Sequence, residues 1–263
     1  MIAYRQPLPA HRTLLLGLVG TLAFFGIWTG LSASGLVLRL FLPSPLEVME
    51  RFVVLLTTPF AGGTLVAHVA SSLQRFLSGY LLAAIVGIPL GLMMGWSRLL
   101  DDIVTPIFDA LRFIAPIAWV PFAALWFGTG IGGPLLIIFA GAFPPCLINA
   151  YRGARYVDPN LMEAAAMLGT PGRRVIAEVM LPAALPSIVA GLRISAGLGW
   201  QSLVGAELIV ASTGVGFMMV QAQGAVSTTT VMVGMIAIGL IGVAIDVGLR
   251  LIEARIRRHL GQA

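Results

Sequence analysis

The residues of this chain that could do chemistry are few, and their spacing decides what kind. Gly128, Gly130 and Gly133 fit the G-x-G-x-x-G pattern that cradles a dinucleotide, a use that needs a strand before the glycines and a helix after them. Apolar runs of helical length flank them on both sides instead, so they read as a glycine-rich turn. His11, His68 and His259 are scattered, with no H-E-x-x-H pair for zinc and no converging Ser, His and acid set. All sixteen basic residues are arginine, so the G-x-x-x-x-G-K-[ST] phosphate loop, which needs an ammonium on the nucleotide, is absent. Cys146, the single cysteine, cannot form an intramolecular disulfide and reads as a small buried hydrophobe. These patterns leave no catalytic constellation and no metal ligand set.

The remaining chemistry is charge placed inside apolar runs, where each ionised group needs a partner or an aqueous cavity. Asp109 and Arg112, three apart, can pair on one helix face. Arg193 and Glu207 are fourteen residues apart on one run, about 21 Å along a helix axis, and cannot meet there. Arg193 instead shares its depth with Asp246 on the last run, and the two are expected to form a structural pair. Glu207 is expected near the opposite end, holding a neighbouring helix or backbone amide or facing a solute path. Trp119, Trp200 and Gln201 are the other path candidates, with core packing the competing role of each tryptophan.

The elements that must position these residues are membrane spans. Of 263 residues, 58% are hydrophobic and 10% charged, and the mean hydropathy is +0.97, which excludes a water-soluble globule. The net charge of +5 does not indicate nucleic acid, because the arginines sit between apolar runs rather than on a polar, aromatic-studded face. Six runs approach the ~20 residues that a spanning helix needs: Thr13 to Ser32, Phe76 to Trp96, Ile103 to Phe127, Pro134 to Ala150, Ser187 to Ala211 and Thr230 to Ile252. The first is read as a span rather than a cleaved signal peptide, because five more follow. The expected fold class is an all-α integral membrane protein forming a single domain over residues 1–263.

Arginines favour cytoplasmic loops. With both termini inside, Arg5, Arg12, Arg98, Arg152, Arg155, Arg173, Arg174, Arg250, Arg255, Arg257 and Arg258 are cytoplasmic, against Arg39, Arg51 and Arg75 outside. Ser44, Pro45 and Glu47 make a capping box that starts a short surface helix, with Glu47 and Arg51 spaced to pair. Gly79, Ala83, Gly87, Gly91 and Gly95 recur every four residues and line up one small face for close helix packing.

The connector from Tyr151 to Pro186 is too long and too organised for a simple turn. Asp158 caps a helix opened by Pro159, whose apolar face is Leu161, Ala164, Ala165 and Leu168, and Gly169 stops it. A second helix opens at Thr170 and Pro171, pairs Arg174 with Glu178, and is expected to end near Leu181 and Pro182. A helix face built from alanines has little to bury by itself but lets a partner come close.

Glu163, Ala164, Ala165 and Gly169, then nine residues before Val179, Met180, Leu181 and Pro182, resemble the Glu-Ala-Ala loop of binding-protein-dependent ABC importer permeases. Trp126, Phe127, Gly128 and Gly130, with Gly199, Trp200, Ala206, Glu207, Leu208 and Ile209, resemble its taurine, aliphatic sulfonate and nitrate branch. The likeness runs from about Leu42 to Arg250. It departs at Arg112, Phe113, Ile114, Ala115 and Pro116, where relatives carry a proline-rich run.

The resemblance implies a type I importer permease architecture in the bacterial inner membrane. It implies a second permease subunit, in a homodimer, two ATPase subunits that bind the ATP and magnesium, and a periplasmic or lipid-anchored solute-binding protein. This chain would hold no cofactor and catalyse nothing. Residues 151–186 would form the coupling loop, with Glu163 as polar anchor to the ATPase and Gly169 as the turn. A small sulfonate such as taurine is the expected solute, with nitrate, bicarbonate or an aromatic acid as alternatives. A six-span secondary transporter, the competing reading, would not explain the loop.

Overall fold

The computed structural model describes residues 10–128 and 130–259, so Arg5, counted above toward orientation, lies outside the described residues. Apart from an isolated bridge between Phe60 and Gly63, the regular structure described is helical. In chain order the helices are α1 (Ala10–Ala33), α2 (Pro45–Thr57), α3 (Leu65–Trp96), α4 (Arg98–Arg112), a 3-10 turn (Pro116–Trp119), α5 (Val120–Phe127), α6 (Gly132–Arg155) and α7 (Pro159–Met167). Then α8 (Gly172–Arg174) passes through a π-helical stretch (Val175–Met180) into α9 (Leu181–Val210), followed by α10 (Val215–Gly224) and α11 (Thr228–His259). Among the described residues, five helices or helical runs are long and apolar enough to span a membrane, and the bent pair of α4 with the 116–127 segment makes a sixth.

The centre is α3, α6 and α9. A Cβ on Gly79, Gly87, Gly91 or Gly95 of α3 would strike α6 at Ile138, Cys146, Leu147 and Ala150, or Ala154, so the four-residue stripe meets an equally spaced stripe on a parallel partner. Against α6, α9 runs antiparallel: Gly141 lies on Ser202, and Gly191 on Asn149. Phe76, Tyr80, Ala142, Trp200 and Leu203 fill the space between the three. The small residues are there because lipid supplies no hydrophobic drive between helices, and close backbone approach supplies dispersion contact instead.

Two polar clusters fasten the bundle, one buried and one half-exposed. On the side where α2 packs, Glu207 accepts hydrogen bonds from Ser72 Oγ (2.7 and 2.8 Å), Arg75 Nη1 (3.1 Å) and the Gly216 backbone N–H (2.9 Å). Arg75 also donates to Thr213 O (2.7 Å), and Ser72 accepts from Val215 N–H, so the turn from α9 into α10 is tied to α3. Arg75 therefore belongs inside the bundle rather than in the outer loop: α3 starts at Leu65, capped by Thr64, and the Glu207 carboxylate draws the guanidinium in. Near the other end of α9, Arg193 Nε donates to Asp246 at 2.8 Å as expected, and Arg193 lies 3.6 Å from Glu253.

Three local expectations are corrected. The third span is not one helix: α4 and the 116–127 segment meet at 87°, because Ala115 precedes a proline and adopts extended backbone (φ −56°, ψ 137°). The second loop helix does not end at Pro182. The π stretch shifts the hydrogen-bond register just before it, so the missing N–H falls at the start of a new α register. Glu47 does not pair with Arg51. It is committed to the capping box at Ser44 and to Arg39 (3.7 Å), while Arg51 donates to Thr230 of α11 at 3.0 Å.

Gly91→Leu should abolish the folded bundle, since the new side chain meets the Leu147 carbonyl and overpacking costs about 1–3 kcal/mol or more. Gly197→Leu, at a position open to space, should leave it intact. Monodisperse yield and the SDS concentration of half-unfolding read both. Removing one member of the buried pair should cost about 3–5 kcal/mol. Glu207→Ala should thus destabilise strongly in the same SDS titration, and Arg75→Ala added to it should recover part of the loss.

Candidate functional site

Two features of the molecule lie open. The first is a groove of about 560 Å³, floored by α6 and α9 and walled by the break between α4 and the 3-10 turn. Arg112 and Phe113 to Ile117 come from the break, Pro144, Pro145 and Asn149 from α6, and Leu198, Gln201, Ser202 and Gly205 from α9. The groove follows one face of α9, because Gly197, Gln201 and Gly205 recur every four residues opposite the face that carries Gly199 and Trp200 into the core. A second hollow, of about 440 Å³, shares Leu198 and Gln201 with it and reaches the Arg193, Asp246 and Glu253 cluster.

The polar groups of this wall are distinct in kind. Arg112 pairs through Nε with Asp109 at 2.7 Å, the expected one-helix pair, while its side chain stays 35% exposed. Gln201 is exposed and has no hydrogen-bond partner among the described residues. Asn149 donates to Pro145 O (2.9 Å), and Ser202 to Leu198 O (2.7 Å), so both are engaged with their own helices. The wall therefore offers one shared guanidinium and one uncommitted amide.

Of the other path candidates, Trp119 packs beside the break, edge-on to Phe122. Trp200 is buried, edge-on to Phe76 at 5.4 Å, and donates to Ile238 O at 3.2 Å. Glu207 is 1% exposed and enclosed in the network with Arg75. The structure thus brings Gln201 and Arg112 to the groove and Trp200 and Glu207 to the interior. Asn149 escaped the sequence reading. It lies four residues after Pro145 on α6, a register that becomes visible once Gly191 is seated against it.

The second open feature is α7. Asp158 accepts from Asn160 N–H (2.9 Å) to cap it, and Gly169 ends it at φ +66°, where a side chain would be strained. Of its apolar face only Ala165 is buried. Leu161 (50%), Met167 (87%) and Leu168 (82%) are exposed beside Glu163 and Ala164, an apolar patch outside the spans with nothing among the described residues over it.

Residues 87–258 match the family model described as the binding-protein-dependent transport system inner membrane component. The taurine transport system permease protein of Escherichia coli is 35% identical over 262 residues, 99% of this chain and 94% of that protein. An ABC transporter permease protein of Methanocaldococcus jannaschii is 41% identical over 216 residues (80% and 81%), and the bicarbonate transport system permease of Synechococcus elongatus is 36% identical over 241 (89% and 86%). Among solved structures, the methionine ABC transporter MetNI in inward-facing conformations aligns with a TM-score of 0.56 at 23% identity, covering 71% of this chain and 95% of that one, and shares the fold. The bent third span, the α3, α6 and α9 core and the loop helix are thus the parts of a permease, and the chain belongs to the inner membrane components of binding-protein-dependent transport systems, the permease subunits of ABC importers.

Proposed function

We propose that this chain carries a small anion across the bacterial inner membrane along the groove on α9, taurine or another sulfonate first, with nitrate, bicarbonate and aromatic acids as the alternatives. The observation that carries the reading is the pairing, in one open wall, of the Arg112 guanidinium with the uncommitted Gln201 amide, both donors to an oxyanion. Relatives named for taurine, aliphatic sulfonates and bicarbonate support it. The groove is open along its length, so a second copy of this chain closes it into a path, and both termini face the cytoplasm.

The patch on α7 is the docking face for a separate ATPase, which binds the ATP and magnesium. Leu161, Ala164, Ala165 and Leu168 seat in the ATPase, Glu163 anchors to a cation there, and Asp158 and Gly169 hold the two ends of the helix. Because α8, the π stretch and α9 are one continuous run beginning two residues after the turn, a push on α7 reaches the groove-lining face without crossing a flexible joint. Solute arrives on a binding protein docked at the α2 side.

Gln201→Leu should leave assembly intact and lower anion uptake about tenfold or more, the worth of a hydrogen bond to a charged group. Glu163→Ala and Gly169→Val should instead reduce co-purification of the ATPase encoded beside this chain and its stimulation by solute-loaded binding protein. Uptake unaffected by Gln201→Leu would remove the groove from the path. Full stimulation in both loop variants would remove α7 from the coupling.

A further inference from the structure

The elbow of the broken span forms a further, half-open cavity of about 320 Å³ between α4, Trp119 and the flank of α6. Its lining is apolar, including Leu90 of α3, Val104 and Phe108 of α4, and Leu136 and Phe143 of α6. Arg112 is its single charged lining residue, and Arg112 also lines the groove, as do Ile114, Ala140 and Pro144. The two spaces therefore meet at one guanidinium. That group is fixed in place, paired with Asp109 and lying over the Phe113 ring at 4.8 Å and near the Phe108 ring at 5.9 Å.

A half-open apolar hollow of this size in a membrane span is filled by an acyl chain of the surrounding lipid or by an apolar part of the solute, since the other two states are poor. Left empty, its walls forfeit dispersion contacts, and filled with water it offers almost no polar partners. An apolar group suits it, and the guanidinium at its mouth selects for a negative charge at the end of that group. We propose that the elbow cavity receives the apolar tail of the transported anion while its sulfonate or carboxylate head stays at Arg112 in the groove. This rests on the anion-permease reading and narrows it: the preferred solute carries an uncharged alkyl chain or ring, whereas taurine, with an ammonium at its far end, and compact anions such as nitrate and bicarbonate use only the groove. Trp119, in the cavity wall, reports on occupancy.

The test uses the permease co-purified with its ATPase, in nanodiscs of zwitterionic lipid without binding protein. Ethanesulfonate through octanesulfonate are titrated against tryptophan fluorescence, with Trp119→Phe identifying the signal. Affinity should rise about fourfold per added methylene until the cavity is full. Val104→Phe, which fills the cavity without touching the groove lining, should erase the gain for long chains and spare ethanesulfonate. Arg112→Gln should weaken the whole series. Affinity independent of chain length in the native protein overturns the proposal, whether or not the variants fold. So does native mass spectrometry showing a phospholipid, lost in Val104→Phe, that octanesulfonate does not displace. ATP-driven uptake by the same complex, moved into proteoliposomes with the binding protein encoded beside it, separates the two readings: uptake with flat chain-length dependence sinks the cavity alone, whereas chain-length-dependent binding without uptake sinks the anion-permease reading and leaves the cavity.

Discussion

Close approach of α3, α6 and α9 through small residues is the constraint from which the rest of the architecture follows. Lipid offers no hydrophobic gain for bringing two apolar helices together, so the bundle depends on backbone proximity, and proximity depends on glycine and alanine at four-residue spacing. Gly91 lies against the Leu147 carbonyl and Gly191 against Asn149, so α6 is held close to α3 on one side and to α9 on the other. With one face of α9 committed to that contact by Gly199, Ala206 and Trp200, its opposite face, with Gly197, Gln201 and Gly205, is left for the groove. The site is the reverse side of the packing.

Prolines shape what the small residues hold together. Pro116 turns the third span through 87° and so creates both the wall of the groove and the elbow behind it, and it places Arg112 at the corner where the two spaces meet. Pro182 does not break its helix, because the π stretch before it absorbs the missing donor, and Pro186 sits inside α9, which continues past it. The same residue type thus makes a joint in one span and preserves a rigid run in another. Paired charge does the complementary work: the buried Glu207 network locks the α9 to α10 turn onto α3, and the half-exposed Arg193 cluster joins α9 to α11, so α9 is held at both ends.

Much of this was legible in the residues. The glycine stripe on α3, the capping box at Ser44, the cap at Asp158, the stop at Gly169 and the Arg193 to Asp246 pair all follow from spacing and helix geometry, which act locally or at matched depth. Arg75 was not legible as a buried residue, because it falls just before the apolar run that opens at Phe76 and its partner Glu207 is distant in sequence. The bend at Ala115 is masked in the sequence by the long apolar run from Ile103 to Phe127, although Ala115 precedes a proline. Asn149 and the elbow cavity exist only once α6 is packed, so no local pattern announces them.

The measurement that bears most directly on the central claim is solute uptake into proteoliposomes containing this chain, its neighbouring ATPase and the binding protein encoded with them. The account predicts sulfonate accumulation that requires ATP inside the assembly, persists when ion gradients are collapsed, and stops when the ATPase is omitted. Uptake by this chain alone, driven by a proton or sodium gradient and indifferent to ATP, would contradict it.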